Sequence, residues 1–287
     1  MARWLVTGAA GMLGREVDQT LHTAGHEVEA CDRTRLDITD EGAVHAAVRG
    51  YGCEIVVNTA AWTDVDGAEK NEAEATALNG TAVENLAVAC AESGALLLHI
   101  STDYVFPGTA QTPIPENAQP EPINAYGRSK LAGERAVTRI LPHGGYIVRT
   151  AWLYGEHGRN FVTTILRAAN EREFLDVVDD QRGQPTSARA LAAALLALGE
   201  SALAGGAPPG IYHATCRGET TWYGLARAAF ELTGLDPDRV RPTTTDKFPR
   251  PARRPAYSVL GHDRWEAAGL PAVPDWTESL AQFVPTR

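Results

Sequence analysis

Apolar residues in the first half of the chain form short, nearly continuous runs, and longer amphipathic stretches separate them. The runs have the length of buried strands, and the stretches between them have the length and spacing of helices, including one long helix over 73–93. Strands that are apolar on both faces and alternate with helices indicate a parallel sheet that is covered on both sides. We therefore predict an α/β fold, a doubly wound parallel sheet of the Rossmann type. The predicted strands are 3–7, 26–31, 54–58, 96–101 and 146–150.

The alternation becomes less regular after about residue 152, where proline is also more frequent. We expect residues 1–152 to form an NAD(P)-binding domain to which a segment at about 181–214 returns. Residues 153–287 then form mainly a smaller substrate-binding lobe, interleaved with the first domain. The elements predicted in this half are a strand at 174–178, a helix at 188–201, a Gly/Pro loop at 205–210, a strand at 211–214 and a helix at 221–233.

Three glycines directly follow the first predicted strand. Gly8, Gly11 and Gly14 stand at spacings of three and three, and a helical pattern begins among them. Such glycines allow a tight turn and a close approach of the backbone, and the helix N-terminus then offers N–H groups and a positive dipole to a pyrophosphate. The spacing differs from G-x-G-x-x-G, but the strand–turn–helix setting is the one that the mechanism requires. We predict a dinucleotide site here.

The end of the second predicted strand carries the residues expected to meet the adenosine ribose. Asp32 lies about 20 residues beyond the glycines, where an acid binds a ribose hydroxyl. Arg33 follows it and suits a 2′-phosphate, so the sequence leaves the choice between NAD and NADP open. Asp37 is a further candidate for an adenine or ribose contact, or else a turn-forming acid.

Charge and cysteine content narrow the class of protein. The formal net charge of −10 argues against a nucleic-acid-binding surface. The four cysteines are scattered without a C-x-x-C motif, which is typical of free thiols in a reducing compartment, and we expect a cytoplasmic protein. The chain begins directly with a strand, so we expect no signal peptide, and no apolar run is long enough for a membrane span. No His/Cys cluster suggests a metal.

Tyr126 and Lys130 are four residues apart in a predicted helix and therefore lie on the same face. An ammonium beside a phenol favours the phenolate, and this makes the phenol a better acid–base group. Polar residues also follow the predicted strands, at the sheet edge where ligands bind in such folds. These residues are Asn58, Ser101, Thr102 and Thr150.

Six runs of the sequence together resemble one family of enzymes. They lie at 7–14, 58–66, 101–106, 125–130, 149–155 and 180–186. The first and the fourth are shared by the extended short-chain dehydrogenases/reductases. The run S-T-D-Y-V-F at 101–106 and the run D-Q-R-G-Q-P-T at 180–186 are more specific, and with them nearly the whole chain is similar to the dTDP-4-dehydrorhamnose reductase family.

The resemblance implies a reaction. A nicotinamide cofactor, NADPH or NADH, would reduce the C4 ketone of a dTDP-linked 6-deoxyhexose, with dTDP-4-dehydro-L-rhamnose as the first candidate. Tyr126 would donate the proton. Lys130 and the oxidised nicotinamide would lower the pKa of Tyr126, and Lys130 would also hold the nicotinamide ribose. Thr102 would bind the ketone oxygen. Ser101 is either a further site residue or a structural one, and Ser129 is interpreted as structural.

The resemblance also implies two sets of binding residues. Those expected at the cofactor are Gly8, Gly11, Met12, Leu13, Gly14, Asp32, Arg33, Asp37, Ile38, Ala60, Ala61, Thr63, Tyr126 and Lys130. Those expected at the substrate are Thr102, Asp103, Tyr104, Trp152, Asn160, Arg182 and Arg253, and Arg254 is a further candidate for an anionic group.

One departure from the family concerns a metal. Some members carry an acidic residue after the Pro-Thr motif that helps to build a metal-linked dimer, but Arg189 stands there in this chain, although Glu16 is kept. A guanidinium cannot hold a cation, so we expect no metal bridge. A homodimer by another route, or a monomer, stays open.

Two alternatives remain. The chain would show the same motifs if it reduced another nucleotide deoxysugar, or dihydrostreptose in an antibiotic pathway. A more distant alternative is a regulatory subunit of the methionine adenosyltransferase type, which binds cofactor without catalysis. The presence of Thr102, Tyr126 and Lys130 favours an enzyme.

Overall fold

The computed structural model describes residues 1–284, which form twelve strands and eleven α-helices. The strands are β1 (Arg3–Thr7), β2 (Glu27–Cys31), β3 (Ile55–Asn58), β4 (Leu96–Thr102), β5 (Gly145–Thr150), β6 (Leu153–Tyr154), β7 (Leu175–Val178), β8 (Arg182–Gly183), β9 (Thr186–Ser187), β10 (Gly210–His213), β11 (Thr220–Thr221) and β12 (Val240–Thr243). The helices are α1 (Met12–Thr23), α2 (Glu41–Tyr51), α3 (Val65–Ala68), α4 (Glu72–Thr76), α5 (Ala82–Ser93), α6 (Ala125–Ile140), α7 (Phe161–Ala168), α8 (Ala188–Leu203), α9 (Trp222–Leu232), α10 (Asp263–Ala267) and α11 (Trp276–Phe283).

Six parallel strands form the central sheet in the order β10-β5-β4-β3-β1-β2. One face packs against α1 and α8, and the other packs against α2 and α5. The apolar runs of the sequence are the reason for this arrangement, because a strand that is apolar on both faces must be covered on both. The predicted doubly wound α/β fold is confirmed. The strand order reverses between β1 and β3, where folds of this kind bind ligands.

The chain returns to this sheet in its second half. Helix α8 packs along α1 in the same core, and β10 then pairs in parallel with β5, from Gly210 opposite Tyr146 to His213 opposite Arg149. Ser187 caps α8 by accepting a hydrogen bond from the Ala190 amide. Helix α8 and strand β10 thus pack in the same core as the first 150 residues.

The predicted long helix over 73–93 is interrupted. Its middle, Ala77–Thr81, is a π-helix between α4 and α5. The Asn79 side chain accepts from the Trp62 amide (2.8 Å) and donates to the Trp62 carbonyl (3.0 Å), so it is tied to a loop rather than to its own helix. Helix α6 also packs closely here, since a Cβ on Gly133 would lie 2.3 Å from the Asn79 carbonyl oxygen.

A smaller layer lies beyond the sheet. Strands β7 and β12 pair in parallel and share an apolar cluster with α7 and α9. Helix α9 begins after Thr221, whose hydroxyl accepts from the Gly224 amide, one residue inside the predicted range. Within residues 1–284 no helix is long and apolar enough to cross a membrane.

Candidate functional site

The glycine turn after β1 forms a cradle with no room for side chains. Gly8 has φ +70°, and a Cβ there would lie 2.6 Å from the Ala60 nitrogen. A Cβ on Gly14 would lie 2.3 Å from the Gly8 carbonyl oxygen, so α1 can start directly against the turn. Gly11 gives α1 no side-chain cap. The first amides of α1 therefore suit a phosphate, which the helix dipole also favours.

A cavity of about 610 Å³ opens on one side of this turn, and we call it the aspartate cavity. Its walls include Gly8, Asp32, Arg33, Asp37 and Ile38. Both acids use one oxygen locally: Asp32 Oδ1 accepts from the Thr34 hydroxyl (2.7 Å), and Asp37 Oδ1 accepts from the Thr39 hydroxyl (2.7 Å). These hydrogen bonds lower the pKa of each carboxyl group, so both are charged and keep their second oxygen for a ribose.

Arg33 stands ready for a different group at the same place. Its side chain is 87% exposed, and its Nε lies 3.7 Å from Asp37 Oδ2 in a weak surface pair. The Arg33 guanidinium can therefore turn toward the 2′-phosphate of one cofactor class. Asp32 can accept from the 2′-hydroxyl of the other. The geometry keeps both cofactor classes open at this cavity.

A second cavity of about 540 Å³ lies on the other side of the turn, and we call it the tyrosine cavity. It shares Gly11, Thr59, Ala60 and Ala61 with the aspartate cavity, so the two form one continuous cleft. Predicted site residues from four separate parts of the chain meet in it. They are Met12, Leu13 and Gly14 from α1, Thr63, Thr102 and Asp103 from the sheet edge, Tyr126 and Lys130 from α6, and Trp152.

Local sequence explains why Tyr126 and Lys130 point into this cavity. Asn124 caps α6 by accepting from the Gly127 amide (2.8 Å), which fixes the start of the helix at Ala125, one residue before Tyr126. Lys130 follows one turn later on the same face. Thr102 ends β4 and accepts from the Tyr104 amide (3.2 Å), so all three side chains converge at one end of the sheet.

The pKa of Tyr126 is high in the protein without cofactor. Burial raises the pKa of Tyr126 to about 12, and a hydrogen bond with Thr102 only partly opposes this. This value belongs to the protein without cofactor, and the lowering expected from Lys130 together with the oxidised nicotinamide stays a prediction. Lys130 is itself buried, which lowers its pKa to about 8 although Glu134 raises it. For Lys130, the cost of desolvation therefore outweighs the attraction to Glu134.

Asp103 is the most unusual acid of the site. It is 2% exposed, and it accepts a hydrogen bond from the Thr102 hydroxyl at Oδ1 (3.0 Å). Its Oδ2 has no hydrogen-bond partner among residues 1–284. Burial raises the pKa of Asp103 to about 6. The neighbouring Tyr104 meets the ring of Tyr126 edge to face, with 5.9 Å between ring centroids.

Trp152 has an unusual backbone and an unusual partner. Its φ of +47° is the only positive value at a non-glycine residue between 1 and 284. Its indole stacks on Trp222 with 3.7 Å between centroids and 7° between planes, and Gly183 packs against its other side. The Trp222 Nε1 donates to Gln181 (3.1 Å). Trp152 is half-buried, packs against the apolar cluster that contains Tyr154 and Leu225, and lines the tyrosine cavity, so its contact with substrate stays a prediction.

Trp222 faces a third cavity of about 600 Å³, the arginine cavity. Its walls include Tyr104, Arg250, Arg253 and Arg254. The stacked tryptophans thus stand between the arginine cavity and the tyrosine cavity.

The charges of the arginine cavity are only partly neutralised. Arg254 binds Asp66 through both nitrogens, with an Nη2–Oδ2 distance of 2.9 Å, and this lowers the pKa of Asp66. Arg250 lies 4.0 Å from the same carboxylate. The Arg253 side chain has no ion pair within the described chain, although its carbonyl accepts from Asn124. Three arginines against two carboxylates, Asp66 and Asp176, leave a surface with an excess of positive charge that suits phosphates.

Two predicted substrate residues lie outside these cavities. Arg182 is half exposed and pairs with Glu219 (3.0 Å). Asn160 is buried and caps α7 through the Thr163 amide (3.0 Å), while its Nδ2 donates to the Gly155 carbonyl. Their hydrogen bonds tie both side chains to neighbouring parts of the chain, and their contact with substrate stays a prediction.

Three features of the site were missed from the sequence. Asn79 links the Trp62 loop to α6, since its Nδ2 also donates to the Ser129 hydroxyl, which in turn donates to the Tyr126 carbonyl. Its signal was an Asn-Gly pair, two weak helix formers, inside an otherwise helical stretch. The Glu134–Arg149 ion pair and the contribution of Trp222 left no local pattern that could have revealed them.

The comparison with known proteins follows this geometry. A protein of Streptomyces griseus named dTDP-4-dehydrorhamnose reductase is 53% identical over 283 residues, covering 99% of this chain and 93% of that protein. The family model described as the RmlD substrate binding domain matches residues 2–287. The chain belongs to the dTDP-4-dehydrorhamnose reductase family. The family expected from the sequence motifs is thereby confirmed.

Other members of the family extend the comparison. A Streptomyces niveus protein named dTDP-4-keto-6-deoxy-D-glucose reductase is 48% identical to this family member, covering 99% of the chain and 96% of that protein. The crystal structure of dTDP-4-dehydrorhamnose reductase from Bacillus anthracis in complex with NADP has a TM-score of 0.92 and 37% identity, with 98% of each chain covered. The fold is therefore shared over its whole length with a reductase that binds NADP.

One group of possible metal ligands occurs among the described residues of this reductase-family chain. Glu16, Glu156 and His157 bring three ligand atoms within 4.8 Å of one another at a partly exposed position. Arg189 lies exposed on α8. Exposed acids gather without a metal often enough that this trio makes no site by itself, and the absence of a metal bridge stays a prediction.

Proposed function

We propose that this protein reduces the C4 ketone of a dTDP-linked 6-deoxyhexose with NADPH or NADH, and that dTDP-4-dehydro-L-rhamnose is the first candidate substrate. The observation that carries the proposal is the convergence of Thr102, Tyr126 and Lys130 in the cavity that continues the glycine cradle. A ketone in that cavity lies beside the place where the cradle would put a nicotinamide. The relatives named as reductases support the same chemistry.

The protein's own task in this reaction is to supply a proton and stabilise charge. The bound cofactor would supply a hydride to C4, and the ketone oxygen then needs a proton to become a hydroxyl. Tyr126 holds its proton at neutral pH because its pKa is about 12. A sugar alkoxide is a stronger base than a phenolate, so transfer from Tyr126 Oη remains favourable. The nearby Lys130 cation stabilises the phenolate that is left.

Thr102 would add a hydrogen bond to the same oxygen. Its hydroxyl stands at the end of β4, on a rigid element rather than a loop. The hydroxyl donates to Asp103 Oδ1 in the protein without substrate, and it would turn its hydrogen to the ketone oxygen, where a positioned donor stabilises a developing oxyanion. Asp103 and Tyr104, next in sequence, would then meet the sugar and the start of the arginine cavity.

The arginine cavity would receive the nucleotide end of the substrate. Arg253 and Arg254 suit a diphosphate, because a guanidinium binds phosphate oxygens in pairs. Trp152 and Trp222 would form the wall along which the substrate passes from this cavity to the tyrosine cavity. Arg182 and Asn160 remain candidates for contact with the substrate, which would require them to give up some of their present hydrogen bonds.

Three further expectations accompany the proposal, on the domain division, the cellular location and the oligomeric state. The division into a cofactor domain of 1–152 with a returning segment at 181–214, and a lobe formed mainly by 153–287, agrees with β10 lying in the central sheet. A cytoplasmic location is favoured by four cysteines without a disulfide in the described chain. A homodimer without a metal bridge stays open.

A different ketosugar is the second candidate, and a specific observation favours it: the Streptomyces niveus relative is named for dTDP-4-keto-6-deoxy-D-glucose. Both candidates keep the same Tyr126 chemistry. They differ only in the stereochemistry that the cavity must accept.

The direct test is product analysis by NMR after incubation with each ketosugar and each reduced cofactor. We expect reduction at C4, and a Tyr126→Phe variant should lose about 10²–10⁴-fold in kcat because it has no proton to donate. Tyr146→Phe is the matched control, since Tyr146 is buried in β5 and its hydroxyl only donates to the Ala207 carbonyl. Full activity in Tyr126→Phe would overturn the mechanism. Cofactor binding without consumption of any ketosugar would favour the regulatory alternative.

A further inference from the structure

A buried ion pair lies directly beneath the tyrosine cavity. The Arg149 and Glu134 side chains are 0% and 3% exposed. Arg149 binds the carboxylate through two nitrogens, with Nη2–Oε2 at 2.6 Å and Nε–Oε1 at 2.9 Å. Ser101 donates a third hydrogen bond to Oε1 at 2.6 Å. Glu134 is therefore a carboxylate with three close donors and almost no water.

The three groups in this cluster come from the elements that carry the site. Ser101 and Arg149 are opposite each other in the pairing of β4 with β5, and the next pair in register is Thr102 with Thr150. Both threonines line the tyrosine cavity. The ion pair thus lies one residue below the layer of side chains that would face the ketone.

Glu134 is also one helical turn beyond Lys130 on α6, so the two side chains share a face. Of the titratable groups around Lys130, His99 is buried in β4 and Tyr126 stands one turn earlier on α6. Burial and the charge of Lys130 lower the pKa of His99, so it is neutral, and the high pKa of Tyr126 makes it neutral as well. Glu134 is the anion of this group.

A purely structural role does not explain the pair. A buried ion pair can often be replaced by apolar side chains of similar size with no loss of stability, since desolvation cancels much of the attraction. The far side of Arg149 is already well packed, with the Phe106 ring 4.9 Å away and the Glu116 carbonyl within 3.3 Å. The charge is needed only if something beside it depends on a charge.

We propose that Glu134, held by Arg149, is a positioning residue that keeps Lys130 charged, and that through Ser101 it fixes the end of β4 that carries Thr102. This inference rests on the proposed function. It adds a second layer to the site, below the groups that touch the ketone.

The proposal has a consequence for pH dependence. Burial pulls the pKa of Lys130 down to about 8, and Glu134 opposes this. Without the carboxylate, the Lys130 pKa should fall further, because an opposite charge favours the charged form. Lys130 would then lose its proton at lower pH. Both NADPH binding and turnover should fail at lower pH than in the native protein.

The decisive variant is the double change Glu134→Gln with Arg149→Met, which leaves no unpaired charge in the interior. We expect the alkaline limb of NADPH affinity, followed by fluorescence, and that of kcat to move about one pH unit lower, a tenfold change in the Lys130 dissociation constant. The matched control is Glu84→Gln with Arg139→Met, an exposed pair that also involves α6, with 2.9 Å between Arg139 Nη2 and Glu84 Oε1. It should leave both limbs in place.

Ser101→Ala tests the connection to β4 without disturbing the ion pair, and it decides this part even if the double variant does not fold. We expect kcat about fivefold lower with unchanged NADPH affinity, the effect of one lost hydrogen bond. Unchanged limbs in a folded double variant, or unchanged kcat in Ser101→Ala, would overturn the corresponding part. NADPH titration needs no sugar, so a wrong ketosugar would abolish turnover but not the shift in binding.

Discussion

The tyrosine cavity and the arginine cavity are neighbours that differ in how they hold their functional groups. In the tyrosine cavity, Thr102 and Lys130 are 6% and 3% exposed and stand on β4 and α6. In the arginine cavity, the Arg250 side chain is 63% exposed and Arg254 18%, and both follow the last strand in an irregular segment. The groups of the tyrosine cavity are buried and stand on regular elements. The arginines of the other cavity are more exposed and stand on an irregular segment.

The difference indicates a division of labour. A fixed, desolvated donor acts where charge develops, since electrostatic interactions are stronger in a dry site. Half-exposed arginines adapt to a flexible diphosphate at a smaller cost in desolvation. Changes in the tyrosine cavity should therefore lower kcat, while changes in the arginine cavity should raise KM.

The largest effect that separates the two is expected from Thr102→Val. Valine keeps the shape but cannot donate to the ketone oxygen, and we expect kcat to fall about 10²-fold or more, with KM changed far less. Steady-state kinetics with the ketosugar measure this. Thr150→Val is the comparison, because Thr150 is opposite Thr102 in the sheet and its Oγ1 has no partner among residues 1–284. A similar loss in both variants would show that the polarity of this part of the cavity, rather than the Thr102 donor, matters.

Arg254→Met should produce the opposite pattern. It removes a cation from the arginine cavity and leaves Asp66 to repel the diphosphate, so we expect KM to rise about tenfold or more with kcat within about twofold. Arg250→Met is the matched control, because its nitrogen is 4.0 Å from Asp66 and its side chain is mostly exposed. It should raise KM much less. A fall in kcat at constant KM would contradict the division of labour.

The same two cavities differ in how far the sequence predicted them. The glycine cradle and the Tyr126–Lys130 pair follow from local patterns, since a turn without side chains and a helical spacing of four are visible in a few residues. The strands β1 to β5 were predicted within two residues because their apolar runs allow little else.

The arginine cavity depends on contacts between distant parts of the chain. Arg254 pairs with Asp66, which lies 188 positions earlier in the chain. Trp152, which follows β5, stacks on Trp222 at the start of α9. No local pattern encodes such pairs. The burial of Tyr126, which raises its pKa to about 12 in the protein without cofactor, was not predicted for a related reason, because a spacing of four indicates a neighbouring charge but not the burial around it.

The smallest effect concerns stability rather than turnover, and it sharpens the comparison at Asp103. The folded protein raises the pKa of this carboxyl group from 3.8 to about 6, because the charged form is buried. The native state therefore binds more protons than the unfolded state between these pH values, and stability must fall as pH rises through this range. Asparagine cannot ionise, so Asp103→Asn should gain Tm relative to the native protein as pH rises from 4 to 7, by a few degrees at most.

Thermal unfolding of both proteins across this pH range measures the gap. Asp40→Asn is the control, because Asp40 is an exposed cap of α2 and asparagine caps a helix equally well. Its gap should stay constant with pH, and a constant gap for Asp103→Asn as well would mean that the buried charge carries no cost. A widening gap together with a lower kcat would mean that the dry cavity keeps an unfavourable charge beside Thr102 for the sake of the reaction. The Arg250 guanidinium of the neighbouring cavity carries no comparable cost, since its side chain is 63% exposed and its charge stays hydrated.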